Sequence, residues 1–180
     1  MADADRTRAY ATALYAVAHA EDQVSSTGDE LFTVARAIEG NDALRDALGD
    51  PHLPAERRQQ IIEELLGSRS SDVTLALASM VVAAGRGREL PDIVDALLEL
   101  SGAQVGRQVA EVRSAIDLTE DQQQRLAASL KTATGSDVDV RVVVDPTVVG
   151  GLEVRVGDQV IDGTVRRRLS QLRESLSARN

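Results

Sequence analysis

The chain has 180 residues, a formal net charge of -9, 43% apolar and 2% aromatic residues, and no Cys or Trp. Disulfides, thiolate metal sites and cysteine nucleophiles are excluded together. A polyanionic partner is disfavoured, because phosphate contacts need surplus cations and base stacking needs aromatic rings.

The charge is also uneven. Residues 1–106 hold 18 acidic residues against 9 arginines, whereas residues 107–180 hold 11 acidic against 11 basic residues. Halves that differ in this way suit two domains with different partners. The start, Met1 to Asp5, is acidic and lacks an apolar core segment, so no secretory signal is expected. No apolar run reaches the ~18–20 residues of a membrane span.

In chain order, the pattern predicts a first helix over Ala9–Ala20, a loop at Ser25–Gly28 and a second helix over Asp29–Glu39. The second carries Leu31, Val34, Ala35 and Ile38 at helical spacing. Gly40 breaks it before a short helix over Ala43–Leu48. Pro54 suits the first turn of a helix through Leu66, and Gly67–Ser71 is a further break. Helices over Asp72–Ala84 and from Leu90 to Ala103 complete a six-helix N-terminal part, with a boundary between Gly102 and Arg107.

Thereafter Ala110, Val112 and Ile116 read as a strand. Thr119 with Gln122 has capping-box spacing and opens a helix to Thr134, closed by Gly135. Val138, Val140, Val142 and Val144 alternate with Asp139 and Arg141, a second strand. Gly150-Gly151 permits a sharp reversal before a strand with Leu152, Val154 and Val156. Gly157-Asp158 is a hairpin turn into Gln159–Ile161. A final helix over Thr164–Ser177 carries Val165, Leu169, Leu172 and Leu176 on one seam, with Arg166, Arg167 and Arg168 in its first turn. The fold class is therefore α+β in two domains, residues 1–105 a six-helix bundle and residues 106–180 a small α/β domain.

Two helices carry more apolar surface than a bundle member needs. In the first, Tyr10, Leu14 and Val17 form one stripe and Ala11, Tyr15 and Ala18 another. In the fifth, only Thr74 and Ser79 interrupt Val73–Ala84. Burial on all sides would account for this, and so would a face kept open for a partner helix. For the basic run Arg166–Arg168, a solvated face and an acidic partner helix both remain open.

Little supports catalysis. His19 and His52 lack a carboxylate or second histidine at ligand spacing. Glu63-Glu64 and Glu120-Asp121 are adjacent acids on helix surfaces. Neither Gly85–Arg88 nor Val149–Leu152 continues as a phosphate loop does. An enzyme using Asp145, Asp158 or Asp162 is remote.

Four segments occur in one order at compatible spacing: Arg8–Leu14, with Tyr10-Ala11 after the arginine; Leu48–Arg58; Ala84–Ile93, with Gly85-Arg86 and Leu90-Pro91; and Gly150–Leu169, with Gly150, Gly151, Arg155, Gly157, Asp158, Asp162 and Gly163 as its fixed points. Together they resemble the delta (OSCP) subunit family of F-type ATP synthases.

That resemblance implies a non-catalytic stator with no cofactor or metal, peripheral to the cytoplasmic face of a bacterial membrane and coupling proton flow to ATP synthesis. It implies that residues 1–105 bind the N-terminal helix of the alpha subunit through Tyr10, Leu14, Val17, Leu77 and Val81. It also implies that residues 106–180 hold the C-terminal helices of the b stalk, for which Arg168, Leu169, Leu172 and Leu176 are the candidates. Three features depart from the family pattern: Ala84 in place of Asn, Gly87 as added flexibility before the sixth helix, and a heavier basic run. Some actinobacterial members carry this region behind a b-like segment that this sequence lacks, so a separate b partner is expected. A cytosolic adaptor with a helical interaction domain is the alternative function.

Overall fold

The computed structural model describes residues 2–67, 70–157, 159–165 and 167. The sequence-predicted residues Asp158, Arg166, Arg168, Leu169, Leu172 and Leu176 lie outside these. The fold is α+β. Among the described residues six α-helices come first: α1 (Ala2–Ala20), α2 (Val24–Glu39), α3 (Asp42–Gly49), α4 (Ala55–Leu66), α5 (Asp72–Ala83) and α6 (Leu90–Gln104). β1 (Arg107–Ser114), α7 (Glu120–Thr134), β2 (Asp137–Val144), β3 (Leu152–Val156) and β4 (Gln159–Asp162) follow. The chain forms two compact units, residues 1–101 and residues 102–180.

In the first unit the core is aliphatic, with Leu14, Leu31, Ile38, Leu48, Ile62, Val81, Val82, Leu90 and Ile93 each at 0% exposure. The expected loop at Ser25–Gly28 is instead the first turns of α2, in which Thr27 and Gly28 are buried. Gly in a helix costs about 1 kcal/mol relative to Ala, and the helix forms here with Thr27 and Gly28 buried. The turn between α1 and α2 falls at Asp22, which takes a positive φ of 57°. Pro54 stands one position earlier than expected, as the cap of α4, and its carbonyl accepts from the N–H groups of Arg57 and Arg58. Helix α3 has a conventional cap, with the Asn41 side chain accepting from Leu44 N–H at 3.1 Å.

The flexibility expected of Gly87 is corrected. Gly87 is buried in a 3₁₀ turn (Gly87–Glu89), and a Cβ built on it would lie 2.8 Å from the Leu48 carbonyl oxygen and 2.9 Å from Leu48 Cβ. Glycine is needed for the close approach of this turn to α3. Gly87→Ala should therefore lower stability by about 1–3 kcal/mol, read as a shift in denaturation midpoint. An unshifted midpoint would show that α3 can retreat freely.

In the second unit, β1 and β2 pair in parallel across the α7 crossover, and β3 and β4 add antiparallel, giving the order β2-β1-β3-β4. Ala110, Val112, Val154, Val156 and Leu130 of α7 form its core, flanked by Leu118, Leu126, Val138, Val140 and Leu152. The capping box is present in full: Thr119 Oγ1 accepts from Gln122 N–H, and Gln122 Oε1 accepts from Thr119 N–H. Gly135 closes α7 in the left-handed conformation. Ile116, expected in the first strand, lies beyond its end and is 70% exposed.

Candidate interaction site

Helices α1 and α5 touch within the first unit. On α1 the buried residues are Ala11, Leu14 and Ala18, spaced three and four apart. That seam combines members of both stripes expected above. Ala9, Ala13, Ala16, Val17 and Ala20 are exposed on the same helix. On α5, Leu77, Ala78, Val81 and Val82 are buried, whereas Ala76, Met80, Ala83 and Ala84 are exposed.

Each helix thus fills the core with one side and leaves the other apolar and open. The large exposed side chains are Val17 on α1, at 44%, and Met80 on α5, at 43%, and alanines supply the rest of each helix's open side. Small residues let another helix backbone approach closely, and a thioether adapts to irregular surfaces.

The five residues expected at this site divide. Val17 is on the open face. Tyr10 is half-buried, with the Arg86 guanidinium 5.5 Å from its ring centroid, and Arg86 also pairs with Glu89. Leu14, Leu77 and Val81 are buried at 0%, 4% and 0% exposure, so they are the floor beneath the face. Met80 and the alanines are exposed beside them, and periodicity identifies a helix with surplus apolar surface without saying which stripe its own domain covers.

Glu30 anchors the start of α5. Its carboxylate accepts from Ser71 N–H at 3.0 Å and Ser71 Oγ at 3.1 Å, while Ser71 Oγ accepts from Thr74 N–H as the helix cap. Burial alone would raise the Glu30 pKa, but hydrogen bonds from the Thr74 hydroxyl and from the Ser71 N–H and hydroxyl together hold it below its usual 4.5. A depressed carboxylate pKa adds stability above its unfolded pKa, and the gain fades as pH falls through the folded value. Acidifying from neutral to about pH 3 should lower the denaturation midpoint. Glu30→Gln should remove part of that slope, and an unchanged slope would show that Glu30 does not contribute to it.

In the second unit the glycine-rich signature is architectural. Gly150 and Gly151 take φ of 61° and 88°. Around them, Gly163 N–H donates to the Leu152 carbonyl and Val165 N–H to the Gly150 carbonyl, both at 2.9 Å. Asp162 accepts from Thr164 N–H, and Thr164 Oγ1 accepts from Arg167 N–H. Asp162-Gly163 therefore precede a Thr164 cap.

Arg155 lies opposite Glu111 in the β1–β3 register, and Arg113 lies opposite Glu153. This is a sheet face of alternating charge. Asp145 accepts from both the hydroxyl and the N–H of Thr147, which with nearby Arg113 keep its carboxyl below the usual range. Arg113 pairs with Glu111 and lies 3.7 Å from Asp145, and the aspartates named above as remote catalytic candidates are turn-formers where they are described.

Among the described residues no group of three or more His, Asp or Glu could hold a metal ion, and no helix is long and apolar enough to cross a membrane. His19 stacks near Tyr15 with ring centroids 5.8 Å apart, and His52 Nδ1 lies 3.1 Å from Asp50.

A family model described as ATP synthase delta (OSCP) subunit matches residues 7–176. Among similar curated proteins, "ATP synthase subunit delta" of Salinispora arenicola is 39% identical over 167 residues, covering 93% of this chain and 61% of that protein. The protein of the same name from Nocardia farcinica is 41% identical over 155 residues, covering 86% and 57%. The chain thus spans about three fifths of the length of these relatives. Among solved structures, a chain of the Toxoplasma gondii mitochondrial ATP synthase hexamer superimposes with a TM-score of 0.57 at 25% identity, covering 94% of this chain and 96% of that one. With a match over nearly its whole length, the chain belongs to the ATP synthase delta (OSCP) subunit family.

Proposed function

We propose that this chain is a non-catalytic stator subunit of an F-type ATP synthase, peripheral to the membrane and held there through the complex on its cytoplasmic face. The helices of residues 1–105 act as a six-helix bundle that seats the N-terminal helix of an alpha subunit. Residues 106–180 hold the b stalk, with Arg168, Leu169, Leu172 and Leu176 as contacts.

The single observation that carries this reading is the open apolar face of α1 and α5. An amphipathic helix laid between Val17 and Met80 would bury both, and the alanines around them would admit its backbone. Leu14, Leu77 and Val81 would act from beneath by fixing the two helices, and Tyr10 by bracing α1 against Arg86. A stator must hold while the rotor exerts torque, and a wide apolar contact on a rigid core suits that demand.

The test is calorimetric titration of the full chain with a peptide of the alpha subunit's N-terminal segment. Saturable one-to-one binding with a negative heat-capacity change, the mark of apolar burial, is expected. A folded chain that gives no binding heat at any temperature would favour the adaptor reading instead.

A further inference from the structure

The chain contains no cysteine and two methionines, Met1 and Met80, so these thioethers are its only sulfur atoms. Met80 lies in α5 at 43% exposure. Residues three and four positions apart stand beside one another on a helix. The exposed residues at that spacing from Met80 are Ala76, Ala83 and Ala84, all of them small. On its own helix the sulfur therefore has no bulky cover, and solutes in the water reach it.

A thioether is a two-electron reductant. Attack of the Met80 sulfur on one oxygen of hydrogen peroxide forms an S–O bond, breaks the O–O bond and releases the second oxygen as water. The product, methionine sulfoxide, is polar and chiral. In the free chain water solvates the new oxygen, and the fold loses little. Beneath an apolar partner the same oxygen is buried without a donor, which is the costly arrangement. Sulfoxide reductases restore the thioether, the oxygen leaving as water while a dithiol becomes a disulfide.

We propose that Met80 is a reversible oxidation site that regulates docking of the alpha-subunit helix: the thioether admits the partner and the sulfoxide turns it away. The inference rests on the stator reading above and adds a modification to the surface on which that reading relies. With no thiol in the chain, no more nucleophilic sulfur diverts the oxidant from Met80. Because alanines supply the rest of the open side of α5, no second large side chain there dilutes the change at this one.

Peroxide treatment of the full chain should add one oxygen to the tryptic peptide Ser70–Arg86, which separates Met80 from Met1. Circular dichroism and the denaturation midpoint should stay near their reduced values, because the side chain is exposed. In calorimetric titration with the alpha N-terminal peptide, the sulfoxide form should bind roughly tenfold more weakly, and reductase treatment should restore the affinity. Met80→Gln, whose amide stands in for the S–O group, should show the loss without oxidant. Met80→Leu, whatever its own affinity, should bind equally before and after peroxide. Saturating peptide should slow sulfoxide formation at Met80.

A reduced chain that binds no peptide would overturn the stator reading and this regulation with it. A reduced chain that binds, beside a sulfoxide form that binds equally well, would overturn the regulation alone. So would oxidation of Met80 as fast in the complex as in the free chain, or a peroxide effect that persists in Met80→Leu. Peroxide that leaves Met80 unoxidised would overturn the site itself.

Discussion

Val17→Asp and Met80→Asp should each reduce binding of the alpha N-terminal helix by about a hundredfold or more, because a carboxylate buried in an apolar contact without a partner costs about 3 kcal/mol. Both side chains are nearly half-exposed in the free chain, so the folded state should tolerate the change within about 1 kcal/mol. The contrast with the floor is the informative part. Leu14→Asp or Val81→Asp would place the same charge at a fully buried position and should unfold the first unit. Leu14→Ala should cost about 2–5 kcal/mol. Binding loss with intact stability at 17 and 80, against stability loss at 14 and 81, would separate contact residues from support. Equal binding by wild type and Met80→Asp would show that the partner does not sit on this face.

Gly151→Ala should be the most damaging single-methyl change in the second unit. A Cβ there would lie 2.4 Å from the Gly163 carbonyl oxygen and 3.1 Å from Thr164 Cα, and φ is 88°. The clashing atoms are backbone, anchored by the Gly163–Leu152 and Val165–Gly150 hydrogen bonds. Relief requires breaking these or moving β3. Strain and lost bonds together cost on the order of 3 kcal/mol or more, to be read as faster hydrogen exchange across β1 and β3. Gly157→Ala is the control. Its φ is 55°, but a Cβ would meet nothing within 4 Å, so about 1 kcal/mol is expected. If the two substitutions cost the same, the loss is conformational only and the close approach contributes nothing.

The strands were legible because alternation survives wherever one face is buried. Val138–Val144 and Leu152–Val156 both read correctly, and the capping box at Thr119 marked the start of α7. The loop expected at Ser25–Gly28 failed because Ser, Thr and Gly are local turn signals, and tertiary burial of Thr27 and Gly28 overrode them. Gly87 read as slack for a related reason. A glycine chosen for freedom and one chosen for close approach look alike in sequence, and the neighbouring Leu48 carbonyl is what distinguishes them.

The exposed apolar surface of the first unit was legible in part. Surplus apolar content picked out α1 and α5, and their faces do stay open. The larger residues Leu14, Leu77 and Val81, which pattern alone offers as contacts, are buried in the core of the free chain. A domain takes its bulkiest aliphatics for its own packing, so what stays exposed on α1 and α5 is alanine with Val17 and Met80.

The proposed role of this chain is to join the catalytic head to the stalk. Its most direct test uses membranes stripped of both the head and this chain, with purified heads returned in the presence and absence of the full chain. Heads should rebind, and ATP-driven proton pumping should recover, only when the wild-type chain is added, with Val17→Asp failing in both. Equal rebinding and pumping without the chain would contradict a stator role.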